Sequence, residues 1–111
     1  MLADGPTSYW RLGETSGTTM ADSVGANPGT AKGSVTLNGP SALASDPNPS
    51  IGVVTNGYVE VKNAASLNYT GDFSIEAWAK PAVINGVGGA IVHKGGPTGN
   101  SVWQYRLSLT S

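Results

Sequence analysis

The chain has 111 residues, a formal net charge of −1 and no cysteine, so it can form one domain without disulfides or thiolate metal sites. Its 16 glycines and low charged fraction of 12% are typical of short strands joined by tight turns. The six basic residues are scattered singly, which excludes a phosphate-binding stripe, and no apolar run reaches the ~20 residues of a membrane-spanning helix.

The first half of the chain is predicted to contain few strands. Residues 8–12 are a short apolar run that ends at Gly13, and they form the first predicted strand. Residues 13–34 are rich in Gly, Thr, Ser and Asn, which indicates a long connection with room for short edge strands. Residues 35–37 predict a brief strand, and the two prolines within residues 46–49 predict a loop.

A hairpin is predicted in the middle of the chain. Residues 51–55 and 58–62 are strand-like and flank Asn56-Gly57, a pair that favours a type I′ turn because both residues tolerate positive φ. Residues 64–67 predict a single helical turn.

The clearest strand pattern covers residues 73–80 and ends at Pro81. One face carries Phe73, Ile75, Ala77 and Ala79, and the other carries Glu76 and Trp78. Large side chains on both faces predict a strand that is covered on both sides.

Two more strands are predicted near the end of the chain. Residues 90–94 form one, and residues 102–110 form the other, with strict alternation between an apolar and a polar face. The apolar face carries Trp103, Tyr105, Leu107 and Leu109. About seven short strands separated by turn signals predict an all-β sandwich.

Several motifs occur in a consistent order along the chain. They are YWRLGETSG at 9–17, ADSVG at 21–25, PGT at 28–30, NGYVEV at 56–61, SLN at 66–68, TGDFSIEAWAKP at 70–81, IVHKG at 91–95 and YRL at 105–107. Together they resemble the N-terminal part of a bacterial or phage laminin-G-like domain, within the concanavalin A-like lectin and glucanase superfamily. The resemblance implies an all-β fold, an antiparallel jelly-roll β-sandwich.

The resemblance covers the beginning of such a domain and not its end. Family members continue with a strand that carries a Trp-His pair and then a strand with a Val-Asp-Gly turn, and this sequence contains neither. We therefore expect residues 1–111 to form one laminin-G-like domain that is incomplete at its C-terminal end. The strand at 102–110 would then have an open edge, which more of the chain, another copy or a partner would complete.

The resemblance implies a non-catalytic module that binds glycans or surfaces, as part of a phage tail or capsid-decorating protein. The alternative is a purely structural module that assembles with other virion or cell-surface proteins. Residues 1–6 have neither the positive region nor the apolar run of a secretory signal peptide. We expect a virion, extracellular or cell-surface location, with three explanations open: export by another route such as release in a virus particle, a signal already removed, or a piece of a longer chain. Neither a nucleic-acid partner nor membrane insertion is expected.

Enzymatic chemistry is not predicted. Glucanases of the superfamily need two carboxylates about 5 Å apart, as a retaining mechanism requires. No predicted strand offers acidic residues at positions i and i+4, since Glu60 is followed two residues on by Lys62 and Glu76 by Trp78. His93 is the single histidine, so imidazoles cannot build a metal site.

Aromatic rings are the expected sugar-binding groups, because a flat ring stacks on the apolar face of a pyranose while polar groups fix its orientation. The predicted ligand-binding residues are Trp78, Glu76 and Tyr58. The predicted core or interface residues are Trp103, Tyr105 and Leu107, which share the apolar face of the last strand.

A calcium site is the one metal site that the resemblance suggests, because some superfamily members bind calcium between loops. Asp22 and Asp72 are the candidate ligands, and no other cofactor is expected. The competing interpretation is turn chemistry, in which each carboxylate accepts a hydrogen bond from the backbone two residues on.

Overall fold

The computed structural model describes residues 2–82, 89–95 and 103–109. The chain divides into two compact units, Met1–Leu67 and Asn68–Ser111. In the described residues every strand pairing is antiparallel, and helix is limited to two short 3-10 turns. The prediction of an all-β chain with antiparallel pairing is confirmed.

The described elements are all short. In chain order they are a 3-10 turn at Leu2–Asp4, β1 (Thr19–Met20), β2 (Gly29–Lys32), β3 (Val35–Gly39), β4 (Ser50–Val53), β5 (Tyr58–Val61), a 3-10 turn at Ala65–Leu67, β6 (Ala90–Gly95) and β7 (Trp103–Ser108). The predicted strands at 35–37, 51–55, 58–62, 90–94 and 102–110 correspond to β3, β4, β5, β6 and β7. The helical turn predicted at 64–67 and the loop predicted at 46–49 are also present.

The first unit is built on one long antiparallel ribbon. Its outward arm runs through β2 and β3, and its return arm runs through β4 and β5, so that β3 pairs with β4 and β2 pairs with β5. Residues 40–49 connect the two arms at one end. β1 adds to the free edge of β2, which makes β2 the central strand of three and not an edge strand.

The hairpin predicted at Asn56-Gly57 is wrong. β4 and β5 do not pair with each other, because each of them is paired with an earlier strand. Asn56 has a φ of 64°, but Gly57 is not in the positive-φ region, whereas a type I′ turn needs both. A ladder with the distant residues 29–39 uses both arms fully, and the local turn signal is too weak to override it.

The Asn56-Gly57 pair instead belongs to a bulge within the ribbon. Between the pairs Lys32–Tyr58 and Val35–Val53, the four residues 54–57 of the return arm face the two residues 33 and 34. Residues 54–57 form a β-turn that accommodates the two extra residues. In this turn the N–H at position 57 donates to the carbonyl at position 54 over 2.7 Å.

Gly33 lies where the two arms are closest. Its φ is 64°, and a Cβ at this position would collide with the backbone carbonyl oxygen of Asn56. Next to it, the Val54 N–H donates to the Ser34 carbonyl at 3.2 Å. Only glycine satisfies both the left-handed backbone and the close approach.

Two further strand predictions are wrong. Residues 73–80 pair with no strand in the part of the chain that the structure describes, and all of them except Ile75 are exposed. Residues 8–12 contribute one isolated bridge, between Trp10 and Asp22. Alternation gives a segment a tendency to extend, but a strand also requires a neighbour with free backbone groups in register, which alternation does not supply.

The core of the first unit is small. Among the described residues Met20 is fully buried at 0% exposure, and Leu67 and Asn27 follow at 7% and 8%. In the second unit β6 and β7 form a two-stranded sheet. Along β7 the exposed Gln104 and Arg106 alternate with half-buried Tyr105 and Leu107, as predicted.

Candidate functional site

The predicted sugar-binding residues lie in different parts of the chain. Trp78 is 69% exposed, and Glu76, two residues before it, is also exposed. Both belong to the unpaired segment 73–80 of the second unit. Tyr58 is 54% exposed and begins β5 in the first unit. An indole and a carboxylate on one segment offer a stacking surface and a hydrogen-bond acceptor.

Tyr58 has polar neighbours on the ribbon. It lies directly opposite Lys32 in the β2–β5 ladder, and Glu60 lies opposite Thr30 on the same face. The Lys32 Nζ is 3.9 Å from the Glu60 Oε2, an exposed ion pair. This face combines an accessible ring with a donor and an acceptor, and it also has the alternation of an ordinary solvent-facing strand.

Three aromatic rings cluster in the second unit. Tyr69 and Phe73 are stacked, with ring centroids 5.0 Å apart and an interplanar angle of 15°. Tyr105 packs against both, at 5.3 Å from Phe73 and 5.9 Å from Tyr69. Burial, and then the neighbouring Tyr69 phenol, raise the pKa of Tyr105 above its ordinary value. Tyr105 is therefore a packing residue, whereas the side chain of Trp103 lies outside the described residues.

The Asp22 carboxylate organises the loop that precedes β2. Its Oδ1 accepts backbone N–H bonds from Tyr9 at 2.8 Å, Gly25 at 2.9 Å and Val24 at 3.2 Å. Its Oδ2 accepts from the N–H of Asn27 at 3.3 Å. The bond from Val24, two residues on, is the turn chemistry expected of this aspartate.

These hydrogen bonds keep Asp22 ionised. Burial by itself would raise its pKa, but the N–H groups of Tyr9, Gly25 and Val24 and the hydroxyl of Ser8 outweigh that effect and lower the pKa from 3.8 to about 2.

Asp72, the other candidate calcium ligand, is exposed. Within the described residues there is no group of three or more His, Cys, Asp or Glu side chains that could hold a metal ion. A calcium site at Asp22 or Asp72 stays a prediction, and the hydrogen bonds around Asp22 give that residue a structural role of its own.

Asn27 connects three parts of the first unit. Its side-chain Nδ2 donates to the Ser8 Oγ at 2.9 Å and to the Ser66 Oγ at 3.2 Å. Its backbone carbonyl accepts a hydrogen bond from the Trp10 Nε1 at 2.8 Å. The indole N–H of Trp10 is therefore used in a hydrogen bond within the fold. The sequence has no local signal for this role, because these three partners of Asn27, on Trp10, Ser8 and Ser66, are 17 to 39 residues away.

Comparisons of the chain with protein-family models, with curated proteins and with solved structures found no match. None of the helices in the described ranges has the length and apolar character needed to cross a membrane.

Proposed function

We propose that this chain is a non-catalytic recognition module of the laminin-G-like type, with an antiparallel jelly-roll β-sandwich as its complete fold. It binds glycans on a surface, as part of a phage tail or capsid-decorating protein. The observation that carries this proposal is the exposure of Trp78, which is 69% exposed on a segment whose other side chains are also largely in water.

An indole in this position fits sugar recognition. Trp78 presents a flat apolar surface that stacks on the C–H face of a pyranose, and the exposed Glu76 accepts hydrogen bonds from ring hydroxyls. Leaving this much apolar surface in water forgoes the stabilisation of burial, and Trp78 is the most exposed large apolar side chain among the described residues. The motif order along residues 9–107 supports the family on which the fold part of the proposal rests.

The proposal is tested by replacing the indole. Trp78→Ala should weaken retention on a glycan-coated surface by about 2 kcal/mol, roughly thirtyfold in Kd, because a central aromatic contact is lost. The far-UV circular dichroism spectrum should stay unchanged, since Trp78 is 69% exposed. Retention on an immobilised glycan panel is the measurement.

Tyr58→Ala tests the other predicted ring, which is similarly exposed, at 54%, but lies on the ribbon of the first unit. Retention that survives Tyr58→Ala and is lost with Trp78→Ala supports the proposal. Retention lost only with Tyr58→Ala would move the site to the face that holds Lys32 and Glu60, and retention lost with neither would reject a glycan site at these rings.

The second candidate function is that of an assembly module that binds other proteins and no sugar. It is favoured by the half-buried apolar face of β7, where Tyr105 and Leu107 lie. In this case Trp78→Ala leaves glycan retention unaffected, and Leu107→Ala or Trp103→Ala weakens association with a partner protein. Binding of the partner to the two sets of variants separates the candidates.

A further inference from the structure

Segment 73–80 has the sequence of a strand but lacks a partner strand. Its side chains alternate between two faces, and no strand in the described ranges pairs with it. Phe73 anchors its first residue to the ring cluster with Tyr69 and Tyr105, and the residues that follow, except Ile75, are exposed. No backbone hydrogen bond joins this segment to another described segment, so with respect to the described residues its backbone donors and acceptors are available to another strand.

The charges of segment 73–80 favour antiparallel pairing with a second copy of the same segment. Glu76 and Lys80 lie two residues on either side of Trp78, and all three belong to the same face. When two copies pair antiparallel about Trp78, each Glu76 lies directly opposite Lys80 of the other copy. Opposite charges in such cross-strand pairs are stabilising. A register centred on Glu76 would instead place two carboxylates opposite each other, which is destabilising.

Pro81 fits the register centred on Trp78. It lies opposite Ile75, and it has no N–H to donate. Pairs in an antiparallel ladder alternate between hydrogen-bonded and non-hydrogen-bonded positions. Pro81 is accommodated when the Ile75–Pro81 pair is non-hydrogen-bonded, and the Glu76–Lys80 pairs then fall at hydrogen-bonded positions.

We propose that a second copy of this chain binds along segment 73–80 as an antiparallel strand, so that two chains form a symmetric dimer centred on Trp78. Such an interface is isologous, because the same residues contribute from both chains. Pairing uses the backbone edges, so the Trp78 ring stays on an open face while Glu76 pairs with Lys80 of the other copy, and the inference goes beyond the proposed recognition function.

Sedimentation velocity of the 111-residue chain tests the dimer through a charge swap. The wild-type chain should dimerise, and Glu76→Lys and Lys80→Glu should each weaken dimerisation by about tenfold or more, because each places like charges opposite each other twice. An equimolar mixture of the two single variants should recover dimers, since every facing pair is then oppositely charged. The double variant E76K/K80E should dimerise as the wild type does.

Lys62→Glu is the matched control, because Lys62 is exposed outside the segment and gives the same change in net charge as Lys80→Glu. It should leave dimerisation unchanged. A wild-type chain that stays monomeric at all concentrations would overturn the proposal, and so would single variants that dimerise normally. A mixture that fails to recover dimers would also overturn it, and circular dichroism confirms that each variant is folded.

Discussion

At the scale of single residues, the carboxylate of Asp22 accepts the backbone hydrogen bonds that a helix or strand would otherwise accept. The stretch from residue 23 to residue 28 has neither helix nor strand, yet its N–H groups need partners. Asp22 supplies acceptors for Val24, Gly25 and Asn27, and it also holds Tyr9 of the preceding segment. A single ionised side chain thus fixes where the chain enters β2.

Asp22 should make stability depend on pH in the acid range. Its pKa is about 2 in the folded chain and 3.8 ordinarily, so its contribution is complete above about pH 5 and is lost as pH falls through 3.8 towards 2. Because solvent screens this carboxylate, the loss should be on the order of 1 kcal/mol. Asp22→Asn should cost about 2 kcal/mol at pH 7, since it removes hydrogen bonds to a charged acceptor.

Urea denaturation of the wild type and of Asp22→Asn between pH 7 and pH 2 is the measurement, and Asp72→Asn is the control because Asp72 is exposed. A variant that loses as much stability in acid as the wild type would show that other carboxylates carry the effect.

At the scale of elements, the ribbon shows that long-range pairing decides the role of a turn signal. The Asn-Gly pair at 56–57 was predicted to close a hairpin, and it instead lies in a bulge within the return arm. The positive φ that Asn56 supplies is used in both cases. What differs is which strands β4 and β5 pair with, because β3 and β2, which lie earlier in the chain, pair with them in place of the hairpin.

The bulge predicts an asymmetry between two substitutions at position 56. Asn56→Ala should lower the free energy of unfolding by about 1 kcal/mol, because alanine pays a steric cost at a φ of 64°. Asn56→Gly should stay within about 0.5 kcal/mol of the wild type, because glycine adopts that φ without strain. Thermal or chemical denaturation followed by circular dichroism provides the comparison.

Asn68→Ala serves as a control, since Asn68 is exposed and does not have positive φ. Equal effects of Asn56→Ala and Asn56→Gly would indicate that the side chain and not the backbone conformation matters there.

At the scale of the whole molecule, few of the side chains that the structure describes are fully removed from water. Met20 on β1 is the only large side chain with less than 2% exposure in the described part of the chain. Its burial and the hydrogen bonds around Asn27 hold the first unit together. Stability should therefore be concentrated in few residues.

Met20→Ala should lower the free energy of unfolding by about 3 kcal/mol, because it removes buried apolar contacts and leaves a cavity. Met20→Leu should cost less than about 1.5 kcal/mol, since it conserves volume. Leu43→Ala is the control, because Leu43 is 44% exposed, and it should have little effect. Urea denaturation is the measurement, and a small effect of Met20→Ala would mean that the core lies elsewhere.

The sequence by itself determined the all-β class, the strands β3 to β7, the helical turn before Asn68 and the turn chemistry of Asp22. These features depend on alternation and on contacts between near neighbours, which a local pattern records. Only the tertiary structure decided that the Asn-Gly pair lies in a bulge, that residues 73–80 pair with no strand of the described ranges, and that Asn27 connects distant segments. Each of these depends on which distant backbone or side-chain groups are available to pair, and a local pattern carries no record of them.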